Sequence, residues 1–236
     1  MVIPCLPGHE LLQAEMDESP ELLAELESVK ESGSWSRQYT AHPVVQQASE
    51  GEVVMPIGLF CDKVPFHKRD SALVFYFVNF ISGKRHLTIA IRSSEMCGCG
   101  CKGWCTLYPV LHFISWSLRA LASGRWPTER HDGRPFTAVD GNRATLAGEP
   151  LMKAALVYIL GDWAEISHTW GFPDWSSVMH PCFCCQVVKD DLQLVGDLSP
   201  VTEPFPAKDH AVYEEACRLA EKVVLVPNGL VLARLQ

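Results

Sequence analysis

The segment Cys97-Gly98-Cys99-Gly100-Cys101-Lys102-Gly103-Trp104-Cys105 carries four cysteines within nine residues. Thiolates so closely spaced suit one soft or borderline ion, and zinc takes four such ligands in a tetrahedron. The intervening glycines let the backbone fold tightly around an ion. A second cluster, His180-Pro181-Cys182-Phe183-Cys184-Cys185, contains a C-x2-C knuckle from Cys182 to Cys185. These patterns predict zinc binding, with Cys99, Cys101, Cys105, Cys182 and Cys185 as first-choice ligands. Cys97, Cys184 and His180 are second choices.

Two other readings compete for the ten cysteines. Buried thiols behave as small apolar residues, which fits the lone Cys5, Cys61 and Cys217 but not four cysteines in nine residues. A disulfide framework belongs to secreted chains. Met1 to Glu10 lacks the basic and apolar regions of a signal peptide, so metal binding is preferred and the expected location is intracellular.

The elements that must hold these residues read as strand, strand, strand, helix, strand. Residues 53–61 form a mostly apolar run ending at Asp62. Residues 72–80 are rich in aromatic and β-branched types, as strands are. Ser82-Gly83-Lys84 signals a turn, and residues 86–92 alternate as a third strand. Leu107, Val110, Leu111, Ile114, Leu118 and Leu121 recur at helical spacing, with Thr106 as the expected cap, Pro109 in the first turn and Gly124 as the stop. Residues 154–160 form a continuous apolar run, as a buried central strand does. It ends at Gly161-Asp162-Trp163, before a short helix over 164–170.

This order predicts an α/β fold with a ribonuclease-H-like mixed sheet of β-β-β-α-β order, carrying helices and cysteine-rich zinc-binding insertions. In that arrangement the first strand is central and the fourth lies parallel beside it. Asp62 and Asp162 then stand at neighbouring strand ends. Carboxylates placed there hold Mg²⁺ or a similar hard ion, and metal pairs stabilise both oxygens of a phosphodiester displacement. Each aspartate also has a plain reading as a turn residue or helix N-cap, Asp162 above all. A third acid belongs on a later helix, and nothing marks Glu214 or Glu215 as that group. The expected core is therefore truncated. His112 and His168 read as packing or surface residues, and the seven tryptophans as core. No nucleophile elbow, P-loop or dinucleotide glycine motif occurs.

Three segments are expected: an acidic arm with a short helix over 1–50, the core over 51–185, and an incomplete helical segment over 186–236. The net charge of −8 is uneven. Residues 1–60 carry ten acids against two bases, and residues 61–131 carry ten bases against four acids. That basic 61–131 region is the candidate contact for a polyanion such as DNA, while charge alone favours scattered solubilising surface. The longest apolar run, residues 72–81, is too short to span a bilayer.

Two groups of residues carry a family resemblance. Pro56-Ile57-Gly58-Leu59-Phe60-Cys61-Asp62 through Lys68-Arg69-Asp70 resembles the first-strand region of Plavaka-like and Kyakuja/Dileera/Zisupton-type transposases. Gly161-Asp162-Trp163 followed by the His180–Cys185 knuckle resembles their second catalytic position and downstream C-x2-C. The cysteine-glycine run with Gly103-Trp104-Cys105 also resembles a group of repetitive-element proteins of unicellular algae. The resemblance covers residues 55–185. It implies Asp62 and Asp162 as catalytic carboxylates, magnesium or manganese as the catalytic ion beside structural zinc, DNA strand cleavage and transfer as the reaction, and a nuclear location. Two competing expectations are a non-catalytic zinc-binding interaction module and a transposable-element gene fragment without independent function.

Overall fold

The computed structural model describes residues 3–33, 35–101, 103–170, 172, 176–178, 181–182, 186–190 and 211. The chain divides into two compact units, one of Met1–Cys97 with Gly103–Gly161, the other of Gly98–Lys102 with Asp162–Gln236.

The first unit is built on a sheet of β1 (Val54–His67), β2 (Asp70–Asn79), β3 (Arg85–Arg92) and β4 (Lys153–Leu160). Their order is β3-β2-β1-β4. β1 pairs antiparallel with β2, and β2 antiparallel with β3, while β1 and β4 run parallel. The protein is thus a mixed α/β fold with a mixed sheet. Val54 to Leu59 are all buried in succession, because both faces at the sheet centre are covered. At Gly58 a Cβ would come within 2.7 Å of the Phe80 ring, so a residue without a side chain is needed there.

The first strand does not end at Asp62. It continues to His67, and its register breaks between Pro65 and His67, leaving Phe66 as an extra residue in a bulge. Residues 63–69 are all exposed, so the β1–β2 hairpin ends in a ribbon bearing Lys63, Lys68 and Arg69. Pro65 and the charged Lys63, Lys68 and Arg69 mask this extension in the sequence. The ladder to β2 forms through backbone groups, which need no apolar pattern.

The N-terminal segment, expected at the periphery, forms part of this unit. α1 (Gly8–Glu18) buries Leu12 completely, and His9 and Glu15 almost so. It packs against β2, β3 and a long helix, α5 (Trp104–Ser123). The two buried polar groups broke the apolar stripe that sequence reading relies on, and both have partners. The Ser117 hydroxyl accepts the His9 amide and faces His9 Nδ1, each at 2.9 Å. Glu15 Oε2 receives Asn79 Nδ2 at 3.1 Å and faces His86 Nε2 at 2.7 Å, and Lys84 Nζ stands 3.8 Å from Oε1. α2 (Glu21–Glu31) follows, then the short helices α3 (Arg37–Thr40) and α4 (Pro43–Gln46), which lie against β4. A further short helix, α6 (Arg143–Leu146), precedes β4.

The described part of the second unit contains α7 (Trp163–Trp170). The expected incomplete helical segment over 186–236 lies outside the described residues, apart from 186–190 and 211.

Candidate metal centre

The Sγ atoms of Cys97, Cys99, Cys101 and Cys105 all lie within 4.8 Å of one another. Four sulfurs held at zinc's ~2.3 Å bond length in a tetrahedron stand about 3.8 Å apart. The set therefore closes on one ion with shifts of about an ångström or less. Cys97, a second choice from the sequence, lies in this group with the first choices Cys99, Cys101 and Cys105. Cys101 is buried, Cys97 half-buried, and Cys99 and Cys105 exposed.

Neighbouring elements bring the thiols together. After β3 a single 3-10 turn, Ser93–Glu95, redirects the chain. Asp70 clamps that turn: its Oδ1 accepts the Ser94 amide at 3.2 Å, and its Oδ2 accepts the Ser94 hydroxyl at 2.8 Å and Arg92 Nη2 at 2.9 Å. The Ser94 and Arg92 donors outweigh partial desolvation and hold the Asp70 carboxyl below its ordinary value. Beyond the turn, the Cys97 amide donates to Thr106 Oγ1 at 3.0 Å. Gly100 and Gly103 then take left-handed backbone angles, φ 91° and 85°.

Thr106 was expected to cap α5. The cap is Gly103 instead, and Thr106 is buried in the first turn, where its hydroxyl serves Cys97. Cys105 is the second residue of the helix, where unsatisfied amides and the helix dipole favour a thiolate. Pro109 lies one turn deeper than expected and lacks the amide that would bond the Cys105 carbonyl. The sequence marks Thr106 only as a cap and gives Asp70 no role at the thiol group. Their partners lie 24 and nine positions away, and no local pattern encodes such contacts.

The second cluster falls mostly outside the described residues. Cys182 is described and half-buried, whereas His180, Cys184 and Cys185 are not described.

Asp62 stands within β1, opposite Val74. It is half-buried, and its Oδ1 accepts the amide of Lys63 at 2.7 Å. Asp162 is exposed and caps α7: its Oδ1 accepts the Glu165 amide at 2.7 Å and its carbonyl accepts the Ile166 amide at 3.0 Å. In the parallel register Phe60 pairs with Leu160, and each aspartate follows its strand's paired residue by two positions. Glu214 and Glu215 lie outside the described residues. His112 and His168 are exposed on α5 and α7.

Fold and site together define a cysteine-rich α/β protein with a four-thiol group able to hold a metal ion such as zinc. No protein-family model, curated protein or solved structure matches the chain. No helix among the described residues is long and apolar enough to cross a membrane.

Proposed function

We propose that this chain is a zinc-binding α/β domain in which Cys97, Cys99, Cys101 and Cys105 form a structural centre. The mutual approach of their four sulfurs within 4.8 Å carries this reading. A four-thiolate site leaves no open coordination position, which is the mark of a structural rather than a catalytic zinc. The ion would tie the loop after β3 to the start of α5 and supply folding free energy. Cys182 and Cys185, with His180 and Cys184, supply donors for a further ion under the same reading. Elemental analysis of the purified protein tests it, paired with Cys97→Ser/Cys101→Ser. The expected result is zinc bound to the wild type and at least one equivalent lost from the variant. Equal zinc in both proteins would sink the proposal.

A second reading is a transposase-derived, ribonuclease-H-like nuclease core acting on DNA with magnesium or manganese, with a nuclear location. Its support is the strand order β3-β2-β1-β4 with β1 and β4 parallel, which is the order the reading expects. The register of Phe60 with Leu160, two residues before Asp62 and Asp162, adds to it. The DNA contact would be the exposed ribbon, where Lys63, Lys68 and Arg69 meet phosphates while the Phe66 ring, with Arg92 5.5 Å from its centroid, lies beside them. The test is cleavage of a labelled duplex with manganese, in wild type and Asp62→Asn. Cleavage lost in the variant supports the reading, and cutting that survives the substitution removes it.

A further inference from the structure

One cavity of about 570 Å³ opens in the first unit, between α5 and the loop that precedes β4. Pockets for small organic ligands run from roughly 300 to 1,000 Å³. Val110 and Phe113 of α5 and Phe136 of the loop give it an apolar wall. Cys105 also lines it, so the cavity begins where the metal centre ends.

The polar groups in the wall are not equivalent. Arg143 is tied to both carboxylate oxygens of Glu10. Asp140 turns its Oδ2 to the amide and hydroxyl of Thr137, at 2.7 and 2.9 Å. Arg130 differs: its nearest carboxylate oxygens, on Asp140 and Asp132, stand 3.8 and 4.0 Å from Nε. Both are ion pairs that approach Nε and orient the guanidinium, too long to be hydrogen bonds, and they leave the Nη donors for a ligand. The loop is preformed around it, with the Arg130 amide donating to the Arg134 carbonyl at 2.8 Å and Gly133 returning to Arg130 at 2.9 Å. His131 sets its ring edge-on to Phe113, with centroids 5.3 Å apart. Burial holds that imidazole below its ordinary value against the pull of Asp132, so it offers an aromatic surface rather than a second positive charge.

We propose that this cavity is a binding site for a small flat aromatic anion, an aryl carboxylate or sulfonate, with its rings against Val110, Phe113 and Phe136 and its anionic group on Arg130. Guanidinium donors pair with planar oxyanions in a two-pronged geometry, and the apolar wall takes the remaining area. The site is independent of whether the chain cuts DNA.

The probe is 8-anilinonaphthalene-1-sulfonate, titrated by fluorescence into the zinc-supplied chain of 236 residues. Its uncharged analogue N-phenyl-1-naphthylamine serves as comparison. Saturable binding at one site is expected, with the sulfonate bound at least about tenfold more tightly than the uncharged ring system, as a charged hydrogen bond implies. Arg130→Gln should remove that preference, Arg130→Lys should keep part of it, and Phe136→Ala should weaken both probes. Arg119→Gln, on α5 but outside the cavity wall, should change nothing. Near-ultraviolet circular dichroism separates this from the loose binding of a molten state. Non-saturating binding, equal affinity for the two probes, or a sulfonate preference that survives Arg130→Gln would each overturn the proposal. The wild-type comparison decides the matter even if one variant fails to fold.

Discussion

Cys101 is the buried member of the thiol group and Cys99 and Cys105 the exposed ones, so the four differ in what their loss should do. Replacing a residue that merely orients a metal ligand typically costs 10–100-fold in affinity. Removing a ligand itself should cost more. Cys101→Ser is therefore expected to weaken zinc binding by more than about a hundredfold in competition with a chromophoric chelator, and to lower the melting temperature only when zinc is supplied. An unchanged affinity would mean that Cys101 does not ligate. Asp70→Asn tests a different idea. It removes charge from a side chain that touches no thiol but clamps Ser94, so a smaller loss is expected, of about tenfold or less. The thiol group was legible at this scale because its spacing is local. Asp70 and Thr106 were not, because their value depends on which strand lies beside which turn.

Element boundaries show where sequence patterns stop carrying information. β2, β3 and β4 were readable to within about two residues because apolar content marks buried strands. The far half of β1 and the whole of α1 were not. One is held by backbone pairing along an exposed stretch interrupted by Pro65, and the other hides His9 and Glu15 in its buried face. Turns and caps add testable energies. Gly103 carries φ 85° at the start of α5, and Gly103→Ala should cost about 1–2 kcal/mol in chemical denaturation, with weakened zinc binding. The Met96 methyl that a Cβ would meet at 2.5 Å is the end of a flexible chain and can move. Asp162 allows a cleaner separation. Asp162→Asn retains a good N-cap for α7, whereas Asp162→Ala costs about 1 kcal/mol. If Asp162 serves only as a cap, the asparagine variant should match wild type in stability and in every DNA assay. If it also binds a catalytic ion, the asparagine variant should keep its stability and lose manganese-dependent cutting.

At the scale of the whole molecule, the buried polar groups under α1 make stability depend on pH in two windows, of which that of His9 alone extends above 4.5. Burial, with Arg143 nearby, lowers the His9 pKa from 6.5 to about 3. A histidine depressed in the folded state contributes stability that is complete above the unfolded value of 6.5 and is lost as pH falls from there toward about 3. The loss is on the order of 1.4 kcal/mol per pH unit at most. Glu15 acts lower down. Burial alone would raise its pKa, but hydrogen bonds from Ser82, His86 and Asn79 outweigh it and bring it below 4.5. Its contribution is therefore complete above 4.5 and declines only in stronger acid. Acid also protonates thiols and releases metal, so the two effects must be measured apart. Denaturant unfolding of the Cys97→Ser/Cys101→Ser variant, stripped of remaining metal with a chelator, between pH 7 and 5 isolates His9. Stability should fall across that range, and adding His9→Asn, whose amide can still meet Ser117, should flatten the slope while lowering the plateau. A slope unchanged by His9→Asn would show that His9 is not the group that titrates. The observed acid sensitivity would then belong to the metal-free loop or to the other histidines rather than to the docking of α1.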